Sequence, residues 1–248
     1  MRRFIIFNLT TVLLSCATLR AGQPAPGLQV ELTHRISDQQ SVPYLFYLPE
    51  KFDATSDRKW PVILFLHGRG ESRGPLGIVA KWGPPRMASR GDNLPYILIA
   101  PQCPAASRWT DDDQQEGVIK LLDHVSKKFP VDRSRVYLTG LSMGGYGSWK
   151  MAASHPDRFA AVSPICGRGN PGDAARLVDV PIWVFHGTED DAVPYRHSAE
   201  MVEAIRKAGG KKVRFTTLQH VSHNSWSAAY ATPELYQWFD KHRLPPSR

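Results

Sequence analysis

Cysteine is scarce in this sequence of 248 residues, and the scarcity limits the chemistry open to the protein. The three cysteines, Cys16, Cys103 and Cys166, are not spaced like the ligands of a metal site. An oxidising compartment would permit a disulfide between the last two. The strands predicted before them are three steps apart in the sheet, about 14 Å, whereas a disulfide needs Cα atoms within about 7 Å. Unless the loop at Cys103 bends toward Cys166, we expect two unpaired thiols.

Long hydrophobic runs and concentrated charge of one sign are also missing. No apolar segment beyond residue 21 is long enough to cross a bilayer. The net charge is +8, but Arg2, Arg3 and Arg20 precede residue 22, and the other basic residues are scattered. A nucleic-acid-binding protein would concentrate them in a stripe or patch. We therefore expect neither a membrane-spanning domain nor a nucleic-acid partner.

The first 21 residues have the layout of a secretory signal peptide. Two arginines precede an almost wholly apolar run, Phe4 to Leu14, and small residues follow it. This order is typical of a cleaved leader, and the run is too short for an anchor helix. Cleavage is expected near Ala17 or Ala21 or, because Leu-Leu-Ser-Cys resembles a bacterial lipobox, before a lipidated Cys16. The protein is thus predicted to be secreted, periplasmic or an outer-envelope lipoprotein attached to the membrane through Cys16.

Strand and helix signals alternate along the rest of the chain. Apolar or alternating runs predict strands at 27–34, 42–48, 62–66, 96–100, 136–138, 159–164, 181–185 and 213–218. Apolar residues at helical spacing predict helices at 111–129, 143–153, 198–208 and 233–242. Such alternation indicates an α/β protein with a mostly parallel sheet of about eight strands and helices on both faces. We expect residues 22–248 to form a single domain, with a long Gly- and Pro-rich connection at 70–95.

One short motif carries chemistry. Gly140-Leu141-Ser142-Met143-Gly144 has the form G-x-S-x-G, follows a predicted strand and precedes a predicted helix. A nucleophile elbow needs this strand–turn–helix order, with glycines two residues either side of a serine in a strained backbone conformation. The amino terminus of the helix then presents N–H groups to developing negative charge. Ser142 is the predicted nucleophile.

Candidate partners for this serine come after two later strands. A serine hydroxyl needs a base in contact with it and a carboxylate to orient that base. The acid is expected after the seventh predicted strand, where Glu189, Asp190 and Asp191 compete. Asp190 is our choice and Asp191 is its nearest rival. The base is expected after the eighth strand, where His223 is favoured over His220.

A metal site is an alternative use of the same region. His186, Asp190, His220 and His223 offer ligands of the kind that zinc takes. Such a site would leave the elbow without a purpose, so we predict no metal and no organic cofactor. His186 is instead expected to order the acid loop.

An oxyanion hole requires two backbone donors. One is the N–H of the residue after the nucleophile, Met143, and the other is expected in the loop His67-Gly68-Arg69-Gly70 after the third strand. Gly68 permits a close backbone approach, and the Arg69 N–H is the candidate donor. His67 is expected to hold the loop by hydrogen bonds.

Two tryptophans are candidates for the walls of the substrate site. Trp109 and Trp226 each follow a predicted strand, at the edge where open α/β sheets bind ligands. Core packing is the commoner use of tryptophan. We nevertheless predict that both contact substrate.

These segments together resemble a branch of bacterial secreted α/β-hydrolase esterases, of the phospholipase/carboxylesterase-like, prolyl-oligopeptidase-like or feruloyl-esterase-like kind. The resemblance runs from about residue 60 to 240 and is carried by Leu64-Phe65-Leu66-His67-Gly68, Pro101-Gln102-Cys103-Pro104, Val136 to Gly147, Pro164-Ile165-Cys166-Gly167, Trp183-Val184-Phe185-His186-Gly187 and His223-Asn224-Ser225-Trp226. It implies the α/β-hydrolase fold, with Asp190 as acid and His223 as base. Arg69 departs from the family, which more often has a small residue there, and we expect it to narrow or charge the acyl pocket.

The predicted activity is hydrolysis of a carboxylic ester through an acyl-enzyme on Ser142. A secreted location fits small esters or acyl and feruloyl groups attached to polysaccharide. A serine peptidase with the same triad is one alternative, but such peptidases usually carry a screening domain for which this chain has no room. A non-catalytic binding protein on the same scaffold is another, but such relatives usually lack a triad member, and all three are present here.

Overall fold

The computed structural model describes residues 24–245, so the predicted leader and Cys16 lie outside the described residues. Eight strands are found: β1 Gln29–Arg35, β2 Ser41–Tyr47, β3 Trp60–Leu66, β4 Ile97–Pro101, β5 Val131–Leu141, β6 Ala161–Ile165, β7 Ile182–Gly187 and β8 Val213–Leu218. The α-helices are α1 Gly83–Ser89, α2 Asp112–Lys128, α3 Met143–Ser154, α4 Arg196–Lys207, α5 Ser225–Tyr230 and α6 Pro233–Asp240. Short 3₁₀ helices span Arg69–Ser72, Leu76–Lys81 and Pro171–Leu177. In this part of the chain no helix is long and apolar enough to cross a membrane.

All eight strands join one sheet in the order β1-β2-β4-β3-β5-β6-β7-β8. The β1–β2 and β2–β4 pairs are antiparallel, and every other neighbouring pair is parallel. The parallel strands therefore end at the same edge of the sheet, and the loops after β3, β5, β7 and β8 meet there. This is the α/β-hydrolase architecture, which confirms the predicted fold class.

The sheet is buried on both faces. Alternate residues of β3 enter two separate hydrophobic clusters. Val62, Leu64 and Leu66 pack in the cluster that contains residues of α2, α3 and α4. Ile63 and Phe65 pack in the cluster that contains residues of α1, α5 and α6. Helix cover on both sides explains why the central strands are continuous apolar runs rather than alternating ones.

The structure differs from the sequence prediction at the edges of several elements. β5 begins at Val131, five residues before the predicted start, because Trp60 pairs with Val131 across a register shift. The polar residues between Val131 and Val136 interrupt the apolar pattern from which a strand is predicted. The long connection after β3 contains α1, whose first turn accommodates Pro84 and Pro85 because the N–H that proline lacks has no intrahelical acceptor there. α5 has only six residues, too few for a helical period to show in the sequence.

Cys103 and Cys166 are both buried and unpaired. Cys103 follows β4 and Cys166 follows β6, with β3 and β5 between those two strands in the sheet. The separation of the strands, which argued against a disulfide, is therefore present in the structure.

Candidate active site

Ser142 lies on the sharp turn between β5 and α3. Its φ of 52° and ψ of −116° fall in a backbone region that non-glycine residues seldom adopt. The Ser142 N–H donates to the Ile165 carbonyl at 3.0 Å, and the Ser142 carbonyl accepts from the Tyr146 N–H at 3.0 Å. These bonds hold the partly exposed side chain at the carboxyl edge of the sheet.

Two glycines of the motif let the backbone segments pack this closely. A Cβ on Gly140 would lie 2.5 Å from the Gly144 carbonyl oxygen, and a Cβ on Gly144 would overlap the Leu66 carbonyl oxygen. Neither position can hold a side chain without moving the backbone. As a result α3 begins directly against the ends of β3 and β5.

His223 connects Ser142 to Asp190. Its Nε2 lies 2.9 Å from Ser142 Oγ, and its Nδ1 lies 2.8 Å from Asp190 Oδ2. The Asp190 side chain is fully buried, and the N–H groups of Ala192 and Val193 donate to its Oδ1 at 3.1 and 2.8 Å. These bonds satisfy both carboxylate oxygens despite their burial. With Nδ1–H donating to Asp190, His223 Nε2 is the nitrogen that can accept the hydroxyl proton of Ser142.

A second histidine, His186, contacts the same carboxylate. Its Nε2 lies 3.1 Å from Asp190 Oδ2 and 2.8 Å from the Val193 carbonyl oxygen, and its Nδ1 lies 2.7 Å from Ser198 Oγ. A carbonyl oxygen can only accept, so Nε2 carries the proton. In the neutral ring Nδ1 is then an acceptor for the Ser198 hydroxyl, which also lies 3.2 Å from the Gly167 carbonyl oxygen. Burial lowers the pKa of His186, which keeps the ring neutral. His186 is thus a fixed, uncharged donor to the acid.

The rival candidates lie away from the nucleophile. Glu189 and Asp191 are exposed. His220 is also exposed, and its Nδ1 lies 2.8 Å from Glu189 Oε1. The structure therefore does not assemble the metal cluster that would include His220.

A different trio of metal-ligating atoms does converge. Cys166 Sγ, an Asp190 carboxylate oxygen and a His223 nitrogen lie within 4.8 Å of one another. Both His223 nitrogens already contact Ser142 or Asp190. Burial raises the pKa of the Cys166 thiol and keeps it protonated, whereas the thiolate is the form that binds metals. The trio fits hydrogen bonding better than ion binding.

The backbone N–H groups of Met143 and Arg69 are the predicted donors to a substrate oxygen. Met143 opens α3 and Arg69 opens the short helix after β3, and both line the same cavity as Ser142. The first N–H groups of a helix have no intrahelical acceptor. Within residues 24–245, neither of these two N–H groups donates to a backbone carbonyl. Both are therefore available to an oxyanion.

His67 holds the loop that carries Arg69. Its Nε2 accepts from the Cys103 N–H at 2.9 Å, and its Nδ1–H donates to the Gly68 carbonyl at 2.6 Å. Trp109 Nε1–H donates to the His67 carbonyl at 3.0 Å. Burial lowers the pKa of His67 to about 4, so the ring is neutral at neutral pH and this bonding pattern is kept.

The two predicted tryptophan walls differ in position. Trp109 is only 1% exposed, and its ring packs edge-on against His67 with centroids 5.1 Å apart. Its bond to the His67 carbonyl keeps the ring beneath the loop, which favours core packing, the commoner use of tryptophan, over substrate contact for Trp109. Trp226 is partly exposed and lies edge-on to His223, with centroids 5.2 Å apart, and to Trp82 at 5.8 Å. Trp226 remains a candidate for substrate contact.

A cavity of about 170 Å³ adjoins Ser142. It is lined by Arg69, Arg108, Thr110, Met143, Tyr146 and Val193. Sequence reasoning missed Arg108, Thr110, Tyr146 and Val193. Tyr146 and Val193 stand four and three residues after the predicted nucleophile and acid, a spacing that could have indicated them. Arg108 and Thr110 belong to the loop after β4, whose path no motif indicates.

A family profile, curated relatives and a solved structure that resemble this chain are all described as esterases. Residues 86–224 match the profile of the family described as “Putative esterase”. Feruloyl esterase B of Thermothelomyces thermophilus is 29% identical over 60% of this chain and 51% of its own length. The bifunctional acetylxylan esterase/xylanase XynS20E of Neocallimastix patriciarum is 28% identical over 55% of this chain and 20% of its own length. The chain thus spans about half or less of these two curated relatives. The crystal structure of a thermostable esterase has a TM-score of 0.73 at 32% identity and covers 87% of this chain and 63% of its own.

Proposed function

This chain belongs to the esterase family whose profile it matches over residues 86–224, and from that premise we propose that it hydrolyses carboxylic esters through an acyl-enzyme on Ser142. His223 is the proposed base and Asp190 the proposed acid. The observation that carries the proposal is the unbroken series of contacts from Ser142 Oγ through His223 Nε2 and Nδ1 to Asp190 Oδ2. No cofactor takes part in the proposed reaction.

Acylation starts when His223 Nε2 removes the proton of Ser142 Oγ and the oxygen attacks the ester carbonyl carbon. Asp190 accepts from Nδ1–H and stabilises the imidazolium that forms. The carbonyl oxygen becomes an alkoxide, which the N–H groups of Met143 and Arg69 stabilise. The carbonyl then re-forms, and the bond between the acyl carbon and the alcohol oxygen breaks. His223 Nε2–H protonates this oxygen, and the alcohol leaves.

Deacylation repeats the same steps with water. His223 Nε2 takes a proton from the water molecule, and the resulting hydroxide attacks the acyl carbon. The alkoxide again accepts from the two backbone donors. Collapse of this intermediate releases the carboxylic acid, and His223 returns the proton to Ser142 Oγ.

The proposed substrates are small esters or acyl and feruloyl esters of polysaccharide. The names of the curated relatives, feruloyl esterase and acetylxylan esterase, support this class. The partly exposed Trp226 beside His223 offers a flat face on which an aromatic acyl group or a sugar ring could pack.

The proposed location is outside the cytoplasm. Residues 1–21 have the order of charged, apolar and small residues that signal peptides have, and residues 22–248 would then form the mature single domain. Lipidation of Cys16 would attach this domain to the envelope, and cleavage near Ala17 or Ala21 would release it.

The proposal is tested by hydrolysis of a p-nitrophenyl ester series and methyl ferulate. Ser142→Ala is expected to lower kcat by at least about 10⁴-fold, because removal of the nucleophile disables the whole catalytic group. Ser154→Ala is the matched control, since Ser154 is exposed at the far end of α3 and should keep wild-type activity.

A fluorophosphonate probe should label the wild type and Ser154→Ala, but not Ser142→Ala. Full esterase activity in Ser142→Ala would overturn the mechanism. A clear preference for an amide over the matched ester would favour a peptidase. A folded wild type that neither turns over nor takes the probe would favour a binding protein.

A further inference from the structure

The cavity beside Ser142 is bordered by positive charge. Arg69 and Arg108 line it, and both residues are exposed. Among residues 24–245, no carboxylate forms an ion pair with either guanidinium. These two cations, which line the same cavity as the proposed nucleophile, are thus free to bind an anion.

The Arg69 side chain is held in position over this cavity. Its Nη1 donates to the Ser107 carbonyl at 2.7 Å and lies 3.9 Å from Met143 Sδ. A guanidinium has five N–H donors in a planar fork. The bond to Ser107 uses one of them, so the others remain available to a ligand while the group is fixed.

The positive border continues into a neighbouring cavity of about 330 Å³. The two cavities share Thr110 and Tyr146. The second is also lined by Lys150 and Arg168, and Asp173 is its acidic residue. Cations therefore outnumber acids along a path that begins at the nucleophile.

The acidic residues at the start of α2 contact groups other than the guanidiniums of Arg69 and Arg108. Asp111 Oδ2 accepts the backbone N–H of Arg108 at 2.7 Å, and Asp112 lies 3.6 Å from Lys150 Nζ. Both lie at the amino terminus of a helix, where carboxylates are stabilised by the helix dipole. Within the part of the chain that the structure describes, neither carboxylate forms an ion pair with the guanidinium of Arg69 or Arg108.

We propose that the ester bound at this site carries a carboxylate, which Arg69 and Arg108 hold beside Ser142. The inference rests on the proposed esterase function and narrows its substrate class. The carboxylate belongs either to the acyl part, as in a dicarboxylic acid monoester, or to the alcohol part, as in an acyl ester of a hydroxy acid. Arginine suits this role because its planar fork matches the two oxygens of a carboxylate, and unpaired cations beside a cleft also attract an anionic substrate.

Two matched substrate pairs test the proposal and separate the two placements. On the acyl side, mono-(4-nitrophenyl) glutarate is compared with 4-nitrophenyl pentanoate. On the alcohol side, 4-acetoxybenzoate is compared with 4-acetoxybenzamide. Each kcat/KM is divided by the rate of alkaline hydrolysis of the same ester, so that intrinsic reactivity cancels. We expect the anionic member of one pair to be favoured by about 10-fold or more, the effect of a charged hydrogen bond, and the preference to weaken as salt is added.

Side-chain variants assign the preference to the arginines. Arg108→Gln and Arg69→Gln are expected to bring the anionic-to-neutral ratio of kcat/KM close to one. Arg206→Gln is the matched control. Arg206 is exposed near the carboxyl end of α4, whereas the amino end of α4 follows the loop that carries Asp190. Circular dichroism establishes that each variant is folded.

The possible outcomes distinguish this proposal from the esterase function. A wild-type ratio at or below one in both pairs would overturn the carboxylate proposal, while Ser142-dependent turnover of the neutral esters would leave the esterase function standing. A high ratio that survives in both arginine variants would overturn the assignment to Arg69 and Arg108. Absence of turnover for every ester would instead count against the proposed function.

Discussion

Replacing Ser142 by glycine would measure the strain held in the turn. The φ of 52° and ψ of −116° at Ser142 form a mirror image of the β region, which glycine adopts freely and other residues do not. A non-glycine residue held there costs about 1–3 kcal/mol, and glycine loses about 0.4–1 kcal/mol through the greater freedom of the unfolded chain. We therefore expect the Ser142→Gly variant to be more stable than the Ser142→Ala variant, with a free energy of unfolding higher by about 0.5–2 kcal/mol.

Ser142→Ala is the matched control because it removes the same hydroxyl, and the same contact with His223, but keeps the Cβ. Urea unfolding followed by circular dichroism gives the difference in free energy. For a domain of this size each kcal/mol shifts the melting temperature by about 2–4 °C, so the glycine variant should melt about 1–8 °C higher. Both variants lack the nucleophile, so the comparison is free of any effect of catalysis. A glycine variant no more stable than the alanine variant would refute the idea that this turn stores strain.

Three further predictions concern groups around the site. Gly187→Ala should lower the free energy of unfolding by about 2 kcal/mol or more, because its Cβ would overlap a carbonyl oxygen of the loop after β8, whereas Gly70→Ala, with nothing within 4 Å, should change it little in the same urea titration. Stability should fall as pH drops from 6.5 to 4, because the unfolded His67 binds a proton that the native ring, with a pKa of about 4, does not; His67→Gln should flatten this slope, and an unchanged slope would contradict the argument. His186→Leu should lower kcat by about 10-fold or more with little change in KM, because Asp190 loses a hydrogen-bond donor. His186→Gln should retain more activity than His186→Leu. Equal losses in kcat for the two variants would count against a positioning role for His186.

The sheet and the elbow are predictable because their sequence signals are local. A continuous apolar run such as Val62 to Leu66 indicates a strand buried on both faces. The glycines at 140 and 144 are required by backbone contacts made within one strand–turn–helix unit. Nothing in the residue types distinguishes Asp190 from Asp191, however. The difference appears only when the chain curls so that N–H groups two and three residues later donate to the Asp190 carboxylate.

The lining of the cavity could not be predicted, because it depends on the path of an irregular loop. Arg108 and Trp109 are adjacent in sequence, yet Arg108 is exposed at the cavity and Trp109 is buried below it. A local pattern can place both residues after β4 but cannot say which side chain faces the nucleophile. That choice is made by contacts distant in sequence, such as the bond from Trp109 to the carbonyl of His67.

The two buried thiols, Cys103 and Cys166, can report when the structure around the active site opens locally. Burial raises the pKa of the Cys103 thiol to about 12, so reactive thiolate is scarce while the structure is closed. In protein from which the first 21 residues have been removed, Cys103 and Cys166 are the only cysteines. The rate at which a thiol reagent modifies each one therefore measures the free energy of local opening at its position. The Cys103 N–H donates to His67, and Cys166 lies beside Asp190. Unequal rates would therefore mean that the loop with His67 and Arg69 opens independently of the loop with Asp190, and equal rates that the two open together.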